Sequence, residues 1–173
     1  YFFSRNGSIW GWATWKRVWD KMEYEMSFAN DKKTMELVYN IIPNKHTAKG
    51  VLKAGKNKGE RLNKGERLTA WSYQFGMTMY LYSQLIIVPQ KNLTTNIGIT
   101  PDSTHSADDL SKLPKSIQRV FFMKRYEIEF PIKHPKYIID DVRFTKEVDK
   151  IMGSNSLSIF ARKVEGKIRK LFF

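Results

Sequence analysis

Two groups of residues carry side chains suited to chemistry. The first lies in the run Ile9-Trp10-Gly11-Trp12-Ala13-Thr14-Trp15-Lys16-Arg17-Val18-Trp19. Trp10 and Trp12 flank Gly11 in a segment that reads as a loop entering a helix. Indole faces stack on the C–H faces of sugar rings and on bases, and a glycine lets backbone approach a ligand closely. Trp12, Trp15 and Trp19 fall at i, i+3 and i+7, one face of a helix, where Trp15 and Trp19 read as core. The second group is Asp102 and His105. Their Asp-x-x-His spacing in a polar loop offers one carboxylate oxygen and one imidazole nitrogen to a divalent cation; the alternative is a turn in which Asp102 caps local amides. His46 reads as solvated and His134, between Pro131 and Pro135, as structural. No Walker or dinucleotide glycine loop, Gly-x-Ser-x-Gly, His-Glu-x-x-His or Asp-x-Asp occurs. The adjacent acids Asp108-Asp109 read as a helix cap. Asp140-Asp141 read as lying within a helix and pointing to different faces.

These groups need elements to position them. Tyr1 to Ser4 reads as a strand and the tryptophan helix as running to about Phe28. Asn30 or Asp31 caps a second helix with the stripe Met35, Val38, Tyr39 and Ile42, ended by Pro43. Residues 44–68 are rich in Lys and Gly, and the near-repeat Lys58-Gly59-Glu60-Arg61-Leu62 and Lys64-Gly65-Glu66-Arg67-Leu68 is too short for a solenoid. This stretch is expected to be an exposed, mobile loop, either linker or lid. Thr69 to Gln84 reads as a helix capped by Thr69, Leu85 to Pro89 as a buried strand, and Asn92 to Ile97 and Tyr126 to Phe130 as further strands. Two helices follow, Lys136 to Met152 and Asn155 to Phe173, separated by Gly153. The last is amphipathic: Leu157, Phe160, Ala161, Val164, Ile168, Leu171 and Phe172 follow helical spacing, beside Arg162, Lys163, Lys167, Arg169 and Lys170. It either packs on the domain as a surface helix or lies on an anionic membrane face.

Composition narrows the classes. The 173 residues are 42% hydrophobic and 14% aromatic, which excludes intrinsic disorder and suffices for a real core. The absence of cysteine excludes disulfides, thiolate metal sites and thiol nucleophiles. The longest apolar run, Leu85 to Val88, falls far short of the roughly 18 residues of a membrane span. A net charge of +13 favours an anionic partner: nucleic acid, anionic lipid or a phosphorylated substrate.

Several segments, in order, resemble the second half of bacterial family-2 glycosyltransferases of the GT-A fold, the hemolysin-like and cell-surface-polysaccharide type. They are Phe3-Ser4-Arg5, the Trp10 to Trp19 run, Trp71-Ser72-Tyr73-Gln74-Phe75, Ile87-Val88-Pro89, Asn92-Leu93, Asn96-Ile97-Gly98, Asp102-Ser103-Thr104-His105 and Phe130 to Pro135. The resemblance spans 1–135 and implies a mixed α/β, partial GT-A-like fold, helices flanking a few strands. Residues 136–173 would be a basic helical extension. In that family a first half carries the nucleotide site and an Asp-x-Asp motif. Its absence here, and a start at Tyr1 rather than Met, make this chain the expected acceptor-side part of a longer protein.

The resemblance implies roles. Trp10, Gly11, Trp12 and Trp71 would line an acceptor site for a saccharide or lipid-linked saccharide. Asp102 and His105 would approach a manganese or magnesium ion and the diphosphate of a sugar-nucleotide donor, shared with the missing half. The family's aromatic helix carries an acid just after its Trp, the candidate base for the acceptor hydroxyl. Here that position is Ser72, which cannot act as a carboxylate base, and Glu66 is the substitute acid nearby. Enzyme status is therefore open. The expected place is cytoplasmic, peripheral on the inner membrane face, with the basic residues of the last helix toward anionic lipid. The second reading is a non-catalytic carbohydrate- or partner-binding module of the same fold. A nucleic-acid-binding module ranks third, because the basic residues lie apart from the Trp cluster and no Arg-Gly-Phe signature is present.

Overall fold

The structure, a computed structural model, describes residues 1–68, 70–99, 109–152 and 156–172, with the backbone alone at 152, 156, 158, 159, 162 and 170–172. Among them it is mixed α/β: β1 (Phe2–Ser4), α1 (Lys16–Trp19), α2 (Lys32–Ile41), α3 (Lys45–Asn63), α4 (Ser72–Leu81), β2 (Ile86–Val88), α5 (Lys115–Phe121), α6 (Val142–Met152) and α7 (Ser156–Phe172), with short 3-10 turns at Ser27–Asn30 and Leu110–Lys112. β1 pairs with β2 in a two-stranded sheet. Contacts divide the chain into two compact units, Arg5–Ile86 and Tyr1–Ser4 with Ile87–Phe173; residue 135 falls inside the latter.

The unit Arg5–Ile86 is built on α2, α3 and α4. Asp31 caps α2, its side chain accepting from Lys33 N at 3.0 Å and from Thr34 Oγ1 at 2.6 Å. Those hydrogen bonds, the Thr34 hydroxyl first, hold its carboxyl below the usual range. Met35, Val38 and Ile42 point inward as their spacing predicts, joining Met26, Phe28, Ala48, Leu68 and Met77 in the core. The 44–68 stretch departs most from expectation: 45–63 are α3, not a mobile loop. Asn44 caps it, accepting from His46 N and Thr47 N. Its inner face is small. Ala48, Gly55 and Gly59 are buried, with Val51, Leu52 and Leu62 packed against the core. A β-carbon on Gly55 would lie 2.5 Å from Tyr73 Oη and one on Gly59 would lie 3.3 Å from Ala29 Cβ, so the glycines mark close approach, not chain breaks.

The helix expected from Trp12 to about Phe28 shrinks to the four residues of α1. Met26 adopts a left-handed conformation (φ 55°) and is fully buried, so the chain turns inward there instead of continuing. Trp15 and Trp19, read as core, are 55% and 40% exposed. α4 begins at Ser72 without a side-chain cap, and Thr69, its expected cap, lies outside the described residues.

In the other unit β1 carries α6. Phe3 bridges Asp140 in parallel and its carbonyl accepts from Asp141 N at 2.8 Å. Phe2 meets Phe144 edge-on at 5.0 Å, and buried Ser4 lies 3.5 Å from Thr145 Oγ1. Asp140 and Asp141 thus precede α6 rather than lying within it, because that bridge keeps the chain extended until Asp141 accepts from Arg143 N. Asp109 caps the 110–112 turn by accepting from Ser111 N; Asp108 lies outside the described residues. The strands expected at Asn92–Ile97 and Tyr126–Phe130 form no ladder. The two segments meet through Tyr126 N to Asn92 O, Thr95 Oγ1 to Phe121 O and the Lys91–Glu129 ion pair. β2 is only half-buried, with Ile87 exposed, so it is not the buried strand expected. Gly153 lies outside the described residues.

Candidate functional site

The aromatic residues of the unit Arg5–Ile86 converge. Gly11 takes φ +61°, which glycine adopts without strain, and turns the chain between Trp10 and Trp12. Trp12 reaches Trp71 at 5.1 Å, Phe75 at 4.9 Å and Trp19 at 6.3 Å, stacked on the last at 27°. Trp19 meets Trp71 at 5.5 Å and Phe75 at 5.9 Å, and Trp71 meets Phe75 at 5.9 Å. Offset and edge-on aromatic pairs of this kind contribute about 0.5–1.5 kcal/mol each beyond their buried area. α4 supplies Trp71 and Phe75 one turn apart, and α1 supplies Trp19.

A buried polar side chain closes the first turn of α4. Gln74 is fully buried, and with its amide oriented to satisfy its neighbours it donates to Ala70 O and Trp71 O, both at 3.2 Å. Next to it, Tyr73 donates to Val51 O at 2.8 Å, tying α4 to α3, and burial pushes its phenol up to about 12.

Of the residues singled out in the sequence, Trp12 and Trp71 are brought together. Three rings surround Trp12, while Trp10 and Trp19 are 41% and 40% exposed. Trp15 sits apart from the cluster, under the Arg17 guanidinium at 4.8 Å. Ser72 is half-buried at the first position of α4. Glu66 pairs with Arg61 at 2.7 Å, both about half exposed. Sequence reasoning missed Trp19 and Phe75 as cluster members; the four-residue step from Trp71 to Phe75 and the proximity of Trp19 to α4 in the fold are what join them.

Asp102 and His105 lie outside the described residues. Among the described residues, no group of three or more His, Cys, Asp or Glu could hold a metal ion. His134 accepts from or donates to the Tyr1 hydroxyl at 2.8 Å, a structural role as expected.

In the other unit, α7 is seated by its polar edge. Glu165 accepts from Lys115 N at 3.0 Å and pairs with Arg169 at 3.1 Å, while Arg169 Nη1 donates to Ser111 O at 3.2 Å. The Lys115 amide, above all, holds the Glu165 carboxyl below its usual range. Arg169 therefore faces the body of its unit, not outward, because the carbonyl of Ser111 and the carboxylate of Glu165 satisfy it there. Lys163 and Lys167 are exposed, as are Leu157, Phe160, Val164 and Ile168. The side chains of Arg162 and Lys170 are outside the described set. No described helix is long and apolar enough to cross a membrane.

No family model, curated protein or solved structure matches this chain.

Proposed function

We propose that the chain is the acceptor-holding part of a sugar-nucleotide-dependent glycosyltransferase of the GT-A-like, family-2 type, serving bacterial surface polysaccharide or glycolipid synthesis. The observation that carries the reading is the convergence of Trp12, Trp19, Trp71 and Phe75 beside the open Trp10-Gly11 turn. It joins two of the segments on which the family resemblance rests. An indole platform binds a pyranose by burying its C–H face while the hydroxyls stay available to polar groups. Trp10 and Trp19 are 41% and 40% exposed, and Trp71 backs Trp19 at 5.5 Å.

Inverting transfer needs a base on the acceptor hydroxyl and positive charge on the leaving diphosphate. Asp102 and His105 are the residues that would reach a divalent metal, together with groups of an upstream nucleotide-binding half. Ser72 cannot be the base. Glu66 is paired to Arg61 at 2.7 Å and would need to leave that pair to serve as the base. The missing carboxylate at position 72 favours one second reading, a carbohydrate-holding module that transfers nothing. The basic charge and the outward apolar stripe of α7 support a place against an anionic membrane, where lipid-linked acceptors are met.

Calorimetry with a panel of sugar nucleotides and manganese, run on this chain and on a longer chain with its upstream half, tests the proposal. Donor binding by the longer chain alone supports it. No binding by either, with both folded and saccharide still bound by Trp10, supports the module. Saccharide binding that survives Trp10→Ala and Trp19→Ala together refutes the indole platform.

A further inference from the structure

The stretch 122–139 carries an apolar load that its unit leaves uncovered. Phe122 is 73% exposed, Phe130 77%, Tyr137 62%, Ile138 73% and Ile139 68%, with Ile128 at 52%. None of these residues lies in a helix or a strand. Interleaved with them are Lys124, Arg125, Lys133 and Lys136, against Glu127 and Glu129, and Glu129 is already tied to Lys91 at 2.7 Å. Lys124 stands over the Tyr126 ring at 5.1 Å and Lys136 over Tyr137 at 5.2 Å. Tyr137 and Ile139 also wall an open groove of about 390 Å³ with Phe2, Phe3 and Pro135, lined as well by Asp140, Asp141 and Arg143, so the apolar surface ends in a polar rim there.

We infer that 122–139 is a lipid-contacting surface that inserts its aliphatic and aromatic side chains into the interface of an anionic bilayer. Three features select lipid over another occupant. Aromatic rings paired with lysines suit the headgroup boundary, where the ring is half in hydrocarbon and the ammonium meets phosphate. The cation excess over the same residues matches an anionic surface. Pro131 and Pro135 lack N–H groups and interrupt the backbone edge that a pairing strand from a second copy would need. The inference does not depend on the transferase reading, since vesicle binding requires neither donor nor acceptor.

The absence of cysteine allows a clean test on the full chain. Phe130→Cys and Ile138→Cys are each labelled with an environment-sensitive dye, and Leu37→Cys in the Arg5–Ile86 unit is the control. With phosphatidylcholine vesicles containing phosphatidylglycerol, the labels at 130 and 138 blue-shift and brighten while that at 37 does not. Phe130→Ser with Ile138→Ser lowers vesicle partitioning by about tenfold or more. Lys124→Glu with Lys136→Glu, which leaves the apolar side chains in place, dims the labels at 130 and 138 on anionic vesicles while leaving them unchanged on neutral ones. Three results would overturn the inference. One is labels that stay dark with both vesicle types. Another is equal binding to neutral and anionic vesicles. The third is a concentration-dependent dimer that Phe130→Ser dissociates, which would assign the face to a second copy.

Discussion

Gly50 and Gly55 sit in the same helix, yet the structure gives substitution at each an opposite sign. A mid-helix glycine replaced by alanine gains about 1 kcal/mol from backbone entropy where the site is open. At Gly50 a β-carbon meets no heavy atom within 4 Å, so Gly50→Ala should stabilise by up to about that amount. At Gly55 the new methyl stands 2.5 Å from Tyr73 Oη and 3.2 Å from Met35 Cε. Ordinary contact is about 3.5 Å, so the phenol tip must withdraw by about 1 Å. Its hydroxyl is bonded to Val51 O, on α3 itself, so withdrawal from the helix breaks that bond. A buried hydroxyl left unpaired is worth about 1–3 kcal/mol, and crowding of buried Met35 adds to it. Less the gain in propensity, Gly55→Ala should destabilise by about 1–3 kcal/mol. Chemical denaturation of both variants measures the difference, and the thermal midpoint should move by about 2–4 °C per kcal/mol for a chain of this size. Tyr73→Phe supplies the second arm: without the hydroxyl the clash shrinks, so Gly55→Ala should be far less harmful in that background. A Gly55→Ala protein as stable as Gly50→Ala, or an unchanged effect in the Tyr73→Phe background, refutes the reasoning that α3 is held against α4 through this contact.

The other expectations are independent of it. Tyr73, pushed up to about 12 by burial, should ionise above the ordinary tyrosine range in an ultraviolet titration. Because its folded value lies above the unfolded one of about 10, its contribution is intact below pH 10 and lost as pH rises toward 12. Glu165 has the opposite sign. Its folded carboxyl is held low, so its contribution is present above the usual carboxylate range and lost as pH falls through the lower folded value; Glu165→Gln should remove that acid-dependent loosening of α7, read by hydrogen exchange in 165–169. Trp12→Ala, which empties the middle of the aromatic cluster, should lower stability by roughly 2–4 kcal/mol. Trp10→Ala should change stability by less than about 1 kcal/mol while weakening saccharide binding, and equal losses at the two positions in a denaturation series would contradict the assignment of Trp12 as support and Trp10 as platform.

What was legible in the sequence was local. Asp31 followed by Met35, Val38 and Ile42 specifies a capped amphipathic helix whatever surrounds it, since the cap and the periodicity act within a few residues. α4 and α7 are also legible as helices from their composition and spacing, although α4 carries no side-chain cap. What only the tertiary structure decided is where a residue's partner lies far along the chain. Gly55 and Gly59 look like helix breakers until Tyr73 and Ala29 are seen to occupy the space their missing side chains leave. The alternation in Tyr126–Phe130 predicts a strand, but a strand exists only if a neighbour's backbone completes the ladder, and here Asn92 and Lys91 supply only scattered bonds. Trp19 belongs to the aromatic cluster because the fold brings it against Trp71 and Phe75 of the distant α4 region, and the helix that periodicity would have continued already ends at Trp19. Arg169 looks no different in sequence from Lys163 and Lys167, and only the position of Ser111 and Glu165 turns it inward. Propensity and capping are decided within a turn of chain, whereas close approach, strand pairing and the direction a charge faces are properties of two segments at once.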